Sequence, residues 1–135
     1  MPAYEKFTPE ITPLHRPFWD SVRRHRLELQ RCDDCGQFRF IPRELCPCGS
    51  SSSTWSPIAG TGEVYTYTVV HRAPTPAYAA DAPYVIAHVT VDEGPRLISN
   101  LVGCPPADVR IGLPVQLVYE DVTPELSLYK FTPRR

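Results

Sequence analysis

Four cysteines within a seventeen-residue stretch constrain this chain most: Cys32-Asp33-Asp34-Cys35-Gly36, then Cys46-Pro47-Cys48-Gly49. Thiolates held this close suit a tetrahedral metal ion, and zinc is the usual occupant of an all-cysteine cage. Each pair is followed by a glycine, the residue that turns most cheaply when backbone amides wrap toward metal-bound sulfur. The first pair is a standard half-site. The second is one residue shorter, so its geometry must differ. The competing readings are two disulfides or free thiols. No basic stretch followed by an apolar run opens the chain as a secretory leader would, and no apolar run approaches the roughly 18 residues that cross a bilayer. The expectation is therefore a cytoplasmic protein in a reducing environment, where clustered cysteines serve as metal ligands more often than as disulfides. Cys32, Cys35, Cys46 and Cys48 are the expected zinc ligands.

The rest of the chain divides into three segments: an arm and helix over 1–26, a metal ribbon over 27–54, and a β-rich body over 55–135. In the head, Thr12 is placed to cap a helix opening at Pro13, or the helix starts nearer Pro17 and runs to about His25. Phe18 and Val22 fall on one face with Trp19 beside them, which leaves Arg23, Arg24 and Arg26 toward solvent. Leu27 and Leu29 then alternate with Glu28 and Gln30, a short strand that feeds into Cys32. Phe38, Phe40 and Ile41 suit a strand between the cysteine pairs, and the serines from Ser50 to Ser53 read as a polar linker. A module this small cannot stand on burial alone. A bound metal would supply much of its folding free energy, on the order of 10 kcal/mol.

The body reads as all-β. Residues 63–72, 84–92, 96–102, 114–122 and 126–131 are rich in Val, Thr, Tyr and Leu and are separated by turn signals. In the second of these, Val85, Ala87, Val89 and Val91 share a face and His88 opposes them. Sixteen prolines and seven glycines favour such short strands over long helices. Five strands of this kind fit a small closed barrel, of which the oligonucleotide/oligosaccharide-binding (OB) fold is the best-known five-stranded type. One long connection, residues 73–83, carries Tyr78 and is the loop most suited to a functional role.

No catalytic set emerges. His15, His25, His71 and His88 are scattered. His71-Arg72 ranks slightly higher, because it ends a strand beside the long loop. Cys104 stands alone and reads as a small apolar residue. Asp92-Glu93 and Glu120-Asp121 read as turn and strand-end acids. Gly60-Thr61-Gly62 precedes a strand, the wrong context for a dinucleotide loop. Net charge is −1, with no general attraction to nucleic acid or anionic membrane. The alternative function is single-stranded nucleic-acid binding, with Tyr65, Tyr67, Tyr78 and Tyr84 as stacking surfaces. It meets a poor electrostatic footprint: residues 60–135 carry six basic and eight acidic side chains.

The order of motifs is specific: RCDDCGQFRFIPRELCPCGS, then GTGEVYTYTVVHR, PYVIAHVTVDEGPRLISNLVG and ADVRIGLPVQLVYEDV. From about Pro17 to Phe131 the chain resembles the DUF35 family, a rubredoxin-like zinc ribbon joined to an OB-fold. It departs from the family at Cys46-Pro47-Cys48, where C-x2-C is usual. The resemblance implies a non-catalytic accessory subunit for thiolase-superfamily enzymes: thiolases, hydroxymethylglutaryl-CoA synthases, acyltransferases, and lipid-transfer-protein-like aldolases that cleave steroid side chains. It also implies association with a MaoC-like enoyl-CoA hydratase, with the chemistry supplied by the partner. Acyl-CoA carries several negative charges, so Arg23, Arg24 and Arg26 become its candidate contacts. Phe18, Trp19 and Tyr78 become candidate anchors for a protein partner, since aromatics dominate binding hot spots.

Overall fold

Helix α1 spans Arg16–Arg23 and opens with Pro17 in its first turn, where a missing N–H costs nothing. Of the two starts the sequence allows, this is the later one. Thr12 instead organises the turn ahead of the helix: its carbonyl accepts from the amides of His15 (3.1 Å) and Arg16 (2.9 Å). The computed structural model describes residues 4–134. The helix ends in a double closure: the His25 amide bonds the Val22 carbonyl at 2.9 Å and the Arg26 amide bonds Ser21 at 3.1 Å. That closure requires a left-handed residue at position 25, and His25 takes φ +58° where glycine is the common choice. The reversal aims the chain straight into strand β1, Glu28–Cys32.

Strand β1 is the centre of a three-stranded antiparallel sheet, flanked by β2 (Phe38–Arg39) and β3 (Ser53–Pro57). Gln30 sits opposite Arg39 on one side and Trp55 on the other. The serine run is therefore not a linker. Ser53 pairs with Cys32 in the sheet, Ser52 Oγ donates to Asp33, and Ser50 Oγ donates to Asp34. Those bonds lash the run to the first cysteine turn, and polar composition alone does not reveal them. Strand β2 is only two residues long, so Phe40 and Ile41 lie beyond it.

The body is a closed five-stranded barrel: β4 (Thr61–Val70), β5 (Tyr84–Val91), β6 (Arg96–Leu101), β7 (Pro114–Asp121) and β8 (Ser127–Pro133), in the order β4-β5-β6-β8-β7. These are the five strands read from the sequence, within a few residues at each end. The fold is mainly β with one helix, a small ribbon and an OB-type barrel. Val85, Ala87, Val89 and Val91 point inward and His88 outward. The Gly60-Thr61-Gly62 stretch has a steric explanation. Gly62 pairs with Val91 on one side and Val115 on the other, and a Cβ there would lie 2.3 Å from the Thr90 carbonyl oxygen. Phe18, Val22, Leu27 and Leu29 join barrel residues such as Val64, Leu97, Val115 and Phe131 in one core. Helix, ribbon and barrel thus share buried surface.

Candidate functional site

The two cysteine turns are built by local hydrogen bonds. In the first, the Gly36 amide returns to the Cys32 carbonyl (3.0 Å) and the Cys32 amide bonds Gln37 (2.9 Å). The Cys35 amide points at Cys32 Sγ from 3.4 Å. In the shorter second turn the Gly49 amide closes on Cys46 at 2.8 Å, and the Cys46 amide on Ser50 at 2.9 Å. Both glycines adopt positive φ, +76° at Gly36 and +93° at Gly49.

These turns bring four sulfurs to one point. Cys32 and Cys48 Sγ are 3.6 Å apart, Cys35 and Cys46 Sγ are 3.6 Å apart, and all four lie within 4.8 Å of one another. A tetrahedron with metal–sulfur bonds of about 2.3 Å has edges of about 3.8 Å. The geometry therefore fits a shared ion, and the missing residue in Cys46-Pro47-Cys48 does not take the second pair out of reach. Charge points the same way. The Cys35 amide, ahead of the other contacts, holds the Cys32 thiol down to about 6. At Cys48 the Ser50 amide pulls downward, but the sulfurs of Cys46 and Cys32 prevail and push the thiol up to about 12. The crowding that opposes ionisation at Cys48 is what a cation among the sulfurs would offset.

The other candidates are dispersed around this centre. Arg23 is engaged with the barrel: Nη2 donates to the Pro124 carbonyl (2.7 Å), and Nη1 lies 3.3 Å from Ser127 Oγ and 3.4 Å from Asp121 Oδ1. Arg24 reaches Glu28 at 3.4 Å. Arg26 is exposed, and no ion pair among the described residues includes it. Phe18 is 2% exposed, with ring centroids of Trp19, Phe40 and Tyr129 at 5.1, 5.3 and 5.6 Å. It is a core residue and offers no surface to a partner. An apolar stripe shows which face is buried but not that the same chain already covers it.

Trp19 and Tyr78 are half-buried and flank one groove on the outside of the barrel. Trp19 borders its shallow end with Ile98 and Leu128. Past Asn100, Leu128 and Lys130 the groove deepens into a cavity of about 550 Å³ bounded by Tyr78, Tyr84 and Phe7. Tyr78 is held at this deep end by Phe7 (6.1 Å) and Tyr84 (6.2 Å) and by an ion pair between Lys6 and Asp81. Cys104 also borders the cavity, and burial pushes its thiol up, away from the reactive thiolate. Of the remaining tyrosines, Tyr65 is half-exposed and carries Arg96 over one ring face, with the guanidinium carbon 3.7 Å from the ring centroid. His71, Arg72 and His88 are exposed. Sequence reasoning missed a cluster at the head–barrel junction. There His25 stacks on Tyr119 (5.0 Å, 6° between planes) and meets Asp121 at 2.8 Å. Nothing local in the sequence links residues 96 positions apart.

Two family models cover most of the chain: a ChsH2 rubredoxin-like zinc ribbon domain over 19–53 and a ChsH2 C-terminal OB-fold domain over 55–120. A DUF35 domain-containing scaffold protein of Methanocaldococcus jannaschii is 42% identical over 107 residues, covering 77% of this chain and 75% of that protein. The chain belongs to the DUF35 family. A DUF35 solved structure described as "Ltp2-ChsH2(DUF35) aldolase" superposes with a TM-score of 0.85 at 41% identity, covering 93% of this chain and 98% of that one. A probable enoyl-CoA hydratase alpha subunit of Thermomonospora curvata is 44% identical over 118 residues, 86% of this chain. The 3-oxo-4,17-pregnadiene-20-carboxyl-CoA hydratase alpha subunit of Mycobacterium tuberculosis is 37% identical over 117 residues. This chain spans 36% of the length of each of those two hydratase subunits. No helix among the described residues is long and apolar enough to cross a membrane.

Proposed function

We propose that this chain is a cytoplasmic, zinc-bearing accessory subunit that docks on a thiolase-superfamily enzyme and leaves the chemistry to that partner. The observation that carries the reading is the 0.85 superposition on the DUF35 chain of an aldolase assembly at 41% identity. The scaffold designation of the Methanocaldococcus jannaschii relative supports it. The Mycobacterium tuberculosis relative is named for a steroid-derived acyl-CoA, which favours an aldolase acting on such substrates as the partner. The two hydratase relatives make a MaoC-like hydratase a candidate second partner. Zinc is the proposed ion because four thiolates with no open position form the closed cage of a structural site.

The groove between Trp19 and Tyr78 is the proposed docking face. It offers aromatic rims at both ends, the composition that supplies binding hot spots. Phe18 contributes from beneath by fixing Trp19. Arg26, followed by Arg24, is the proposed contact for the phosphates of a partner-bound acyl-CoA, since Arg23 is held by the barrel. Capture with the tagged chain from its native host, read by mass spectrometry, should recover a thiolase-superfamily enzyme. With Cys35→Ser, zinc content and capture should fall together. Recovery of RNA or of nucleic-acid-processing proteins in its place would overturn the reading in favour of the OB-fold alternative.

A further inference from the structure

In the ribbon sheet, on the strand next to β1, lies a buried cation. Arg39 is 8% exposed, and among the described residues no ion pair includes it. Its guanidinium is permanently charged, and burying such a group is costly unless an opposite charge compensates it. What it does touch is neutral. Arg39 Nε donates to Gln30 Oε1 at 3.2 Å, and Nη2 donates to the Arg43 carbonyl at 2.8 Å. Gln30 completes the ring: its Oε1 accepts from the Arg43 amide (2.8 Å) and its Nε2 donates to the Arg43 carbonyl (3.0 Å). Two side chains thus grip both backbone polar groups of one residue, Arg43, while Nη1 finds no partner among the described residues.

The position of this clamp gives it meaning. Gln30 precedes Cys32 by two residues on β1, so the two share a face of the strand about 7 Å apart. Arg39 is the cross-strand neighbour of Gln30. The gripped residue, Arg43, lies three residues before Cys46. The clamp therefore ties the strand that delivers the first cysteine pair to the loop that delivers the second. A divalent ion held by four thiolates carries a formal charge of about −2. Such a charge would offset the buried guanidinium.

The geometry points to Gln30 and Arg39 as positioning residues of the metal centre. The pair fixes the chain ahead of Cys46 relative to Cys32, and the guanidinium offsets the negative charge of the loaded site. The inference rests on the reading that the four cysteines hold zinc.

Zinc affinity of the full chain, measured by competition with a chromophoric chelator, tests it. Outer supports of a metal site cost about 10- to 100-fold in affinity when removed, and Arg39→Met should fall in that range. Gln30→Leu breaks the clamp but keeps the charge, so it should lose less than Arg39→Met but still more than about threefold. Thermal unfolding of the zinc-saturated variants, followed through the barrel, should stay near that of the parent, which separates metal support from general damage. If Arg39→Met leaves the ribbon unfolded even at saturating zinc, Gln30→Leu decides: a loss beyond about threefold supports the inference and a smaller one overturns it. Failure of the parent chain to bind zinc would instead sink the metal reading itself.

Discussion

Asp121 shows how much of this architecture turns on single side chains. It accepts a hydrogen bond from Ser127, meets His25 Nε2 at 2.8 Å and lies 3.4 Å from Arg23 Nη1. One carboxylate on the barrel thereby gathers the end of α1 and secures the left-handed backbone at His25. The Ser127 hydroxyl first, then His25, hold its carboxyl below the usual carboxylate range. The sign of the consequence follows. With the folded value depressed, the unfolded chain takes up the proton first as pH falls. The stabilisation is complete above the unfolded value of about 3.9 and is lost as pH drops through the folded value. Asp121→Asn should therefore start with a lower melting temperature at neutral pH and lose less of it on acidification. Thermal melts between about pH 3 and 7 check this, and parallel acid limbs for both proteins would refute it. None of this junction is legible in the sequence, where Glu120-Asp121 reads as a solvated strand end. The cysteine cage is legible because its ligands arrive in pairs with local spacing. The Gln30–Arg39 clamp is not, because it exists only once β1 and β2 are paired.

Among the elements, α1 has the largest role for its length. Its eight residues carry Phe18, whose ring meets Phe40 beyond β2 and Tyr129 on β8 at the same time. The same helix buries Ser21, whose hydroxyl donates to the Phe18 carbonyl (2.6 Å) and accepts from the Glu28 amide (2.9 Å). A short helix that would be marginal alone is thereby fixed against both of its neighbours. Phe18→Ala should cost about 3 to 5 kcal/mol, the usual range for emptying a buried phenylalanine site. Because the cavity opens where three elements meet, it should also loosen Trp19 and weaken partner capture. Chemical denaturation and capture on the same variant measure both effects; a loss below about 1 kcal/mol would show that the site collapses or was never well packed. The strands are legible in the sequence, since alternation such as Val85, Ala87, Val89 and Val91 reports a half-buried surface directly. The serine run is not legible as a tether, because its partners, Asp33 and Asp34, are far along the chain and polar composition does not distinguish a tether from a linker.

At the scale of the whole molecule, barrel and ribbon are held by different forces. The barrel closes on itself through β4-β5-β6-β8-β7, and Val64, Val89, Leu97, Val115 and Phe131 are its share of the common core. The ribbon has a two-residue strand, a five-residue centre and a cysteine cage that the cation must hold together. Chelation should therefore act unevenly. Amide hydrogen exchange should quicken first at Cys32, Gly36, Cys46 and Gly49, whose amides close the two cysteine turns. The ladders of the five barrel strands should stay slow, because the metal's contribution, on the order of 10 kcal/mol, is spent on the ribbon. Leu27 and Leu29 complicate the border, since they belong to the ribbon's first strand region yet pack into the common core. Their amides should exchange at intermediate rates. Partner capture by the chelated chain then locates the interface. Capture lost while the barrel stays protected would place the ribbon in the docking geometry. Capture retained would put docking on the barrel groove alone. Exchange rising evenly through ribbon and barrel would mean that the shared core at Phe18, Leu27 and Leu29 welds the two into one cooperative unit with no division of forces between them.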